Sequence, residues 1–336
     1  MVDAFIIGGG PAGLAAAIAA RLKGFEVVVA DAAQPPIDKA CGEGLMPDSL
    51  DALRRLGVTF DPDQSFVFRG IRFIGQGGTV ASDFPGERGI AVRRVRLHQL
   101  LIDRAEEVGV KLLWRMPVRD FGDIRARWIV GADGENSRVR RWAGLNATRS
   151  ESYRYGFRRH YRVRPWSDFM EIYWGPACQM YVTPVGGGET CAALITRDPH
   201  LRMDAALPHF PELARRLTGV PKITDDRGAV TVTRRLRRVY EGNTVLIGDA
   251  SGSVDAITGE GMSLAFRQAL VLADAIVAGD LRQYQTAHRQ MARRPAFMAQ
   301  FMLLLDRFPG ILPHVLRLFA AEPVIFERLL AVHVGA

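Results

Sequence analysis

Apolar positions along this chain change their spacing repeatedly, and each change marks an element. Residues 4–7 are a continuous apolar run, and 14–22 is an alanine-rich stretch of helix formers. A glycine turn joins them, and Glu26 to Ala30 is a second β-branched run ending at Asp31, so the first unit reads strand, tight turn, helix, strand. Residues 48–57 have helical spacing, with Asp48 or Ser49 as the cap and Gly57 as the stop. Residues 71–84 alternate as a hairpin about Gly75 to Gly78, 97–108 return to helix, and Val110 to Trp114 to strand. Trp128-Ile129-Val130 is a buried strand. Strand-like stretches follow at 157–163, 170–174, Tyr181 to Pro184 and Glu189 to Thr196, then a helix at 205–218 and an arginine-rich strand at 229–240. Val245-Leu246-Ile247 is another buried strand, and a helix begins near Gly261-Met262.

The tail has two helical stripes, Phe301, Leu304, Leu305, Phe308 and Leu312, Val315, Leu316, Phe319, broken by Pro309, Pro313 and Pro323. This pattern predicts short helices that close a substrate domain. The alternative is peripheral attachment to an anionic bilayer through residues 296–333, because Arg307, Arg317 and Arg328 are interspersed. No uncharged run in the tail reaches 18 residues, so none is expected to span a membrane. Near the start, Ala4 to Ala20 is also uncharged, but Asp3 precedes it and three glycines interrupt it. It reads as the first strand and helix, not as a leader or a span.

Hydrophobic content of 48% permits one large domain or two intertwined ones. Cys41, Cys178 and Cys191 are odd in number and lack metal-ligand spacing, which predicts no metal and a reduced, cytoplasmic protein. Net charge is +8, with arginines clustered at 93–96, 138–141, 158–159 and 234–238. Scattered solvated arginines account for this, with attraction to an anionic membrane surface or acidic cofactors as the alternative. No recognition motif accompanies the charge, so no nucleic-acid partner is expected.

The chemistry sits in glycine-rich turns. Gly8, Gly10 and Gly13 have GxGxxG spacing around Pro11 and Ala12: the first makes the turn, the second admits a pyrophosphate and the third lets helix and strand pack closely. The helix N-terminus then offers free amides to phosphate. Asp31, 18 residues beyond Gly13 and followed by Ala32, can accept hydrogen bonds from a ribose diol. Asp133-Gly134 ends the second buried strand, where its carboxylate can orient an arginine or a hydroxyl. Gly248-Asp249 ends the third, where Asp249 can meet a ribityl hydroxyl. Gly259, Glu260, Gly261 and Met262 open a helix whose positive end can face the pyrimidine side of a flavin. Together these turns point to FAD.

The three motifs, in this order, resemble the flavoprotein superfamily containing p-hydroxybenzoate hydroxylase and geranylgeranyl reductase, over about residues 3–285. The resemblance implies that the Gly8–Gly13 loop holds the ADP half of FAD and that Asp31 holds its ribose. It also implies that Asp133-Gly134 serves both FAD and the nicotinamide donor, that Gly248-Asp249 meets the ribityl chain and pyrophosphate, and that Arg94 lies against FAD. No second nicotinamide-type fold is evident, in keeping with transient use of NAD(P)H. Lys39, Cys41, Gly42 and Glu43 fall in a Lys-x-Cys-Gly-x-Gly segment similar to the reductase branch, as is Thr258-Gly259-Glu260-Gly261. Tyr181 stands in that branch's aromatic-x-x-Pro element, where tryptophan is usual, and Ala256 replaces a usual proline. The Trp-x-Trp-x-Ile-Pro motif of flavin-dependent halogenases is absent.

These readings predict an α/β protein: a Rossmann-like FAD-binding domain from residues 1–70, 90–150 and 240–285, with a mixed β-sheet substrate domain inserted at 71–89 and 151–239. A helical tail follows at 286–336. The expected function is an NAD(P)H-using monooxygenase or hydroxylase of a lipophilic aromatic or polyketide-type molecule. The alternatives are an ene-reductase of isoprenoid or prenylquinone double bonds and a non-catalytic FAD-binding protein. Cys41, Glu43 and Tyr181 are the candidate catalytic residues, Cys41 being either proton donor or pocket lining. Glu43 and Glu260 are acid/base groups or helix caps. Tyr155, Tyr173, Tyr181 and His160 either orient a phenol or quinone or simply pack.

Overall fold

The structure, a computed structural model, describes residues 1–122 and 124–335, and for 149–151 the backbone alone. Asp123 and Ala336, which fall within the expected cofactor lobe and tail, lie outside the described residues. A six-stranded sheet runs Tyr240–Glu241, Thr244–Leu246, Ala126–Gly131, Val2–Ile7, Val27–Ala30, Lys111–Leu113. All its pairings are parallel except the Tyr240–Glu241 hairpin edge. The central strands are apolar throughout because helices Pro11–Leu22, Arg94–Glu107 and Gly261–Ala278 share their core. The carboxyl ends of Val2–Ile7, Ala126–Gly131 and Thr244–Leu246 therefore bring all three glycine motifs to one edge. In α/β sheets that edge is where ligands bind.

A seven-stranded sheet, ordered Arg227–Leu236, Thr148–Tyr161, Glu189–Thr196, Cys178–Val185, Phe169–Gly175, Gly70–Gly75, Gly78–Asp83, forms the second lobe. It is antiparallel except where Phe169–Gly175 meets Gly70–Gly75. A small sheet of Gly44–Leu45, Gly89–Val92 and Ser65–Phe68 links the lobes. Helices Arg293–Arg307, Leu312–Ala321 and Pro323–Val334 pack over the seven-stranded sheet, and their apolar residues join its core. The architecture is α/β, with an inserted mixed sheet and a helical C-terminus.

Several local expectations shift. The helix expected at 48–57 is Pro47–Arg55, with Met46 as cap and proline at its first position; Asp48 instead accepts hydrogen bonds from Ser263 Oγ (2.8 Å) and Arg267. The 205–218 helix is broken at Pro208 and Pro211 into Met203–Ala206, a 3₁₀ turn and Pro211–Leu217, because proline cannot donate to the preceding turn. In the tail, Leu312, Leu316 and Phe319 are buried as expected, but Leu304 and Phe308 are 47% exposed. Leu305 is buried as expected, but Met298, Met302 and Asp306 share its face in place of Leu304 and Phe308. Asp306 accounts for the rotation, since it binds Arg154 Nη2 (3.0 Å), Gln179 Nε2 (2.7 Å) and Arg197 Nε (3.2 Å) from the sheet.

The arginine clusters are also less solvated than expected. Arg140, Arg154, Arg158 and Arg159 are buried. Strand alternation sends Arg158 inward to Asp38 and Arg159 to the opposite face, where Asp204 and Asp226 bind it. Among the described residues one helix, Gly261–Ala278, is long and apolar enough to cross a membrane. It packs beside Pro11–Leu22 in the six-stranded lobe and contributes to that lobe's core.

Candidate active site

The first glycine motif is built by close approach. Gly8 has φ +115°, and a Cβ on it would lie 2.3 Å from the Ala132 carbonyl oxygen. A Cβ on Gly13 would lie 1.9 Å from the Gly8 carbonyl oxygen, so helix and turn touch there. A Cβ on Gly10 would meet nothing within 4 Å. Gly10 caps the Pro11–Leu22 helix, whose first turn holds no acidic residue and receives no side-chain cap. Pro11 removes one orphan amide, and the others face the open space beside Gly10. Asp31 ends the second strand with its carboxylate holding the amides of Gly9 (2.6 Å) and Ala33 (2.7 Å), while Ala32 is exposed beside it. Each carboxylate oxygen keeps a further lone pair for a ribose hydroxyl.

The other motifs converge on this edge. Gly248, at φ +60°, packs against Ala12, where an added Cβ would come within 2.7 Å of the alanine Cβ. Its amide donates to Gln268 Oε1, and Asp249 is exposed next to it. Asp133 departs from expectation: its Oδ2 accepts the backbone amides of Arg138 (2.6 Å) and Val139 (3.2 Å), not a guanidinium or hydroxyl. The physical reason is position, since the short Arg138–Trp142 helix begins there and its first amides lack partners. Arg140 turns to the carbonyls of Ala250 and Glu135, tying this motif to the Gly248 turn. Lys39 Nζ lies beside Gly134, 3.3 Å from where a Cβ would sit. Gly42, Gly259 and Gly261 would also meet nothing on gaining a Cβ, and the Gly261–Ala278 helix has no side-chain cap. Asp133 Oδ1 and Arg94 Nε are buried without a partner among the described residues. An open trough between two uncapped helix ends, edged by unsatisfied polar atoms, fits an elongated dinucleotide.

Beneath that trough lies a buried chain of polar groups. Arg158 Nη2 binds Asp38 Oδ1 at 2.5 Å, and Arg158 Nη1 lies 3.0 Å from His160 Nδ1. Guanidinium only donates, so Nδ1 accepts and the ring proton sits on Nε2. Nε2 donates to Glu43 Oε2 at 2.7 Å, and Glu43 Oε1 accepts the Arg94 amide at 2.9 Å. Glu43 holds φ +61°, a region that costs a non-glycine residue about 1–3 kcal/mol. It does cap a helix, though one distant in sequence: Arg94–Glu107. Cys191 Sγ joins Glu43 and His160 with donor atoms within 4.8 Å of one another. In this arrangement one ring nitrogen carries its proton toward Glu43 and Arg158 occupies the other, so the cluster is a hydrogen-bonded chain with no free imidazole lone pair for a cation.

Cys41 is half-buried, and its sulfur accepts the Glu43 amide at 3.3 Å. Burial pushes its thiol up, ahead of the opposing Arg94 charge. Arg94 Nη1 reaches Met262 Sδ at 3.9 Å, which places Cys41, Glu43, Arg94 and Met262 around one opening. Tyr181 is buried with its hydroxyl donating to the Ile257 carbonyl, pinning the Ala256–Thr258 turn to the sheet, and burial raises its pKa. Tyr173 donates to Glu171 Oε2 at 2.8 Å, and Tyr155 sits partly exposed on Thr148–Tyr161, three strands away in the same sheet. Glu260 is buried near the tail, with a pKa lifted to about 8 by burial and Asp48.

Sequence reading passed over His98, Asp38 and Arg158. His98 Nε2 donates to the Gly9 carbonyl at 2.7 Å, and burial lowers its pKa. Its spacing four residues after Arg94, on one helix face, was the available sign. Asp38 and Arg158 join strand to loop across 120 residues, with no local sign.

Residues 1–282 match the family described as FAD binding domain. The chain belongs to that family. It binds FAD, and it is an FAD-dependent oxidoreductase. A menaquinone reductase of Mycobacterium tuberculosis (strain ATCC 25618 / H37Rv) is 28% identical over 93% of this chain and 85% of its own length. Digeranylgeranylglycerophospholipid reductase 1 of Methanothermobacter thermautotrophicus is 26% identical, over 83% of this chain and 79% of its own. Among solved structures, a flavin-dependent brominase superposes with a TM-score of 0.80 at 21% identity, covering 100% of this chain and 94% of the other. That likeness concerns the fold alone.

Proposed function

We propose that this FAD-dependent oxidoreductase is a reductase of a lipophilic, isoprenoid or prenylquinone substrate, with NAD(P)H as donor. The observation that carries this reading is an apolar seam between the seven-stranded sheet and the tail, lined by Ile71, Met170, Ile172, Met302, Leu329 and others, which encloses about 20 Å³ and would have to part to admit a chain. Its lining suits a hydrocarbon chain. The names of the menaquinone and digeranylgeranylglycerophospholipid reductases support the same class. The hydroxyls of Tyr173 and Tyr181 are committed to Glu171 and the Ile257 carbonyl, so neither is free to orient a phenol or a quinone ring.

Bound FAD would supply two-electron chemistry. The chain's own residues would do the rest. Gly8, Gly10, Pro11, Ala12 and Gly13 present the first helix end to the pyrophosphate, and Asp31, with Ala32 beside it, takes the ribose. Gly248 and Asp249 meet the ribityl chain, while Gly259 to Met262 and the second helix end stabilise negative charge on the ring. Lys39, Gly42, Arg94, Asp133 and Gly134 flank the cofactor. Cys41, its thiol kept protonated by burial, would lie beside the ring. Glu43, held by His160, would be the group that moves a proton.

Anaerobic incubation with NADPH and a short-chain menaquinone tests the reading. A product gaining two hydrogens without oxygen supports it. A product gaining an oxygen atom, formed only in air, overturns it in favour of hydroxylation.

A further inference from the structure

The tail turns apolar side chains outward. Among the described residues, eight of the fifteen large apolar side chains that stand exposed lie between Phe297 and Val332. On the Arg293–Arg307 helix, Phe297, half-buried Phe301, Leu304 and the capping Phe308 follow at i, i+4, i+7 and i+11, a single helical stripe. Ile325, Arg328 and Val332 keep such a spacing on Pro323–Val334, and Leu318 is exposed on Leu312–Ala321. The opposite sides of all three helices, through Met302, Leu316 and Leu330, enter one core with Ile71, Phe73 and Trp174 of the sheet. Helices laid on one sheet face by their inner sides present their outer sides together. A single exposed leucine needs no explanation, but an outward stripe continued across three helices marks a contact surface.

The charge on this face selects its partner. Arg293, Arg307, Arg317 and Arg328 are exposed, and none meets a carboxylate among the described residues. Arg307 lies over the Phe308 ring, 5.6 Å from its centroid, and Arg317 donates to the Pro313 carbonyl, so both keep their full charge. A second copy seated here about a two-fold axis would press these arginines against their own equivalents. An anionic bilayer instead supplies hydrocarbon for the apolar stripe and phosphate for the guanidiniums.

We propose that the outer face of residues 293–335 docks the protein on an anionic phospholipid surface. Phe297, Leu304 and Phe308 insert, and Arg293, Arg307, Arg317 and Arg328 sit at the headgroups. The inner sides of the same helices line the apolar seam through Met298, Met302 and Leu330, so lipid and seam stand about 10 Å apart, one helix diameter. This goes beyond the reductase reading and does not depend on it.

The test sediments the FAD-loaded full chain with sucrose-loaded vesicles, either of phosphatidylcholine alone or of equal parts phosphatidylcholine and phosphatidylglycerol. In low salt the wild type is expected to bind the anionic vesicles at least about tenfold more tightly than the neutral ones, a preference that shrinks in about 0.5 M salt. Phe297→Ser combined with Phe308→Ser should weaken binding to both vesicles by about tenfold. Arg307→Gln, Arg317→Gln and Arg328→Gln together should weaken anionic binding alone, by about a hundredfold. Melting temperatures should hold, since every substituted side chain is exposed, and the two variant sets are independent should one fail to fold. A wild type that stays in solution with anionic vesicles overturns the proposal. So does anionic binding that both sets leave unchanged, because other arginine clusters would then carry it. Light scattering without vesicles reads the rival occupant: a dimer abolished by the phenylalanine pair assigns the face to a second copy and overturns the proposal. Anaerobic reduction of a short-chain menaquinone in solution needs no bilayer, so the reductase reading stands or falls separately.

Discussion

His160 Nε2 lies 2.7 Å from Glu43 Oε2, with both side chains buried and 117 residues of chain between them. The same carboxylate accepts the first amide of the Arg94–Glu107 helix, so one side chain joins that helix to the seven-stranded sheet. Glu43→Ala strands the His160 N–H and the Arg94 amide together, and should cost about 2–4 kcal/mol in urea unfolding. Glu43→Gln keeps one acceptor oxygen and should cost about half as much. Equal, small losses in both would show that the pair bears no stability. Anaerobic turnover measured on the same variants separates this from chemistry: if Glu43 moves a proton, Glu43→Gln loses kcat far beyond its change in stability.

Gly10 and Gly13 are three residues apart in one loop and should respond oppositely to the same methyl group. Gly13→Ala puts a Cβ 1.9 Å from a backbone oxygen, which nothing flexible can relieve, so the protein should be recovered poorly or melt much earlier. Gly10→Ala meets open space at a φ of −75° that any residue adopts, so the cofactor-free protein should melt as the wild type does. Its FAD affinity should fall about tenfold or more, because the methyl occupies the approach to the helix end. Unchanged affinity in Gly10→Ala would place the pyrophosphate elsewhere.

Asp306 fastens the tail. It is 6% exposed and binds Arg154, Gln179 and Arg197 from the sheet. Asp306→Ala leaves a buried guanidinium with Asp255 as its remaining carboxylate, and should destabilise by about 3–5 kcal/mol. Limited proteolysis should then cut within 293–335 first. A variant whose tail resists protease as well as the wild type would show that apolar packing alone holds these helices.

How much of this was legible depended on distance along the chain. The Gly8–Gly13 turn, the hairpin expected at 71–84 and the helix beginning near Gly261 are written in neighbouring residues, and their expected places match the strands Gly70–Gly75 and Gly78–Asp83 and the helix Gly261–Ala278. Tertiary pairing was not legible. Nothing near Glu43 announces His160, because which strand residue faces the loop depends on the order of the seven-stranded sheet. The first tail stripe was rotated for a related reason. Periodicity treats Asp306 as a solvent position, whereas Arg154 from a strand 152 residues away makes burial favourable. Asp133 was placed correctly at a strand end, but its partners proved to be orphan helix amides, which a sequence of charged neighbours does not reveal.

Glu260 gives the protein an alkaline limb to its stability. Its pKa is about 8 when folded, against an ordinary 4.5, so the folded state binds more protons than the unfolded chain between those values. The stability it contributes therefore falls as pH rises through that window and is gone above about 8. His333 acts with the opposite sign: folded near 4 against an ordinary 6.5, it costs stability as pH falls between them. Burial also holds His288 down to about 4, so from about 4.5 to 6.5 the two histidines outweigh Glu260, and above 6.5 Glu260 sets the slope. The buried thiols, raised from an ordinary 9.0, enter only at higher pH. Urea unfolding should thus show a decline of about 2 kcal/mol between roughly pH 6.5 and 8. Glu260→Gln should flatten that decline and steepen the loss on the acid side, because His333 and His288 are then unopposed. A decline of the same slope in Glu260→Gln would mean that the carboxyl is ionised in the folded protein and that Arg294 and Arg267 outweigh its burial.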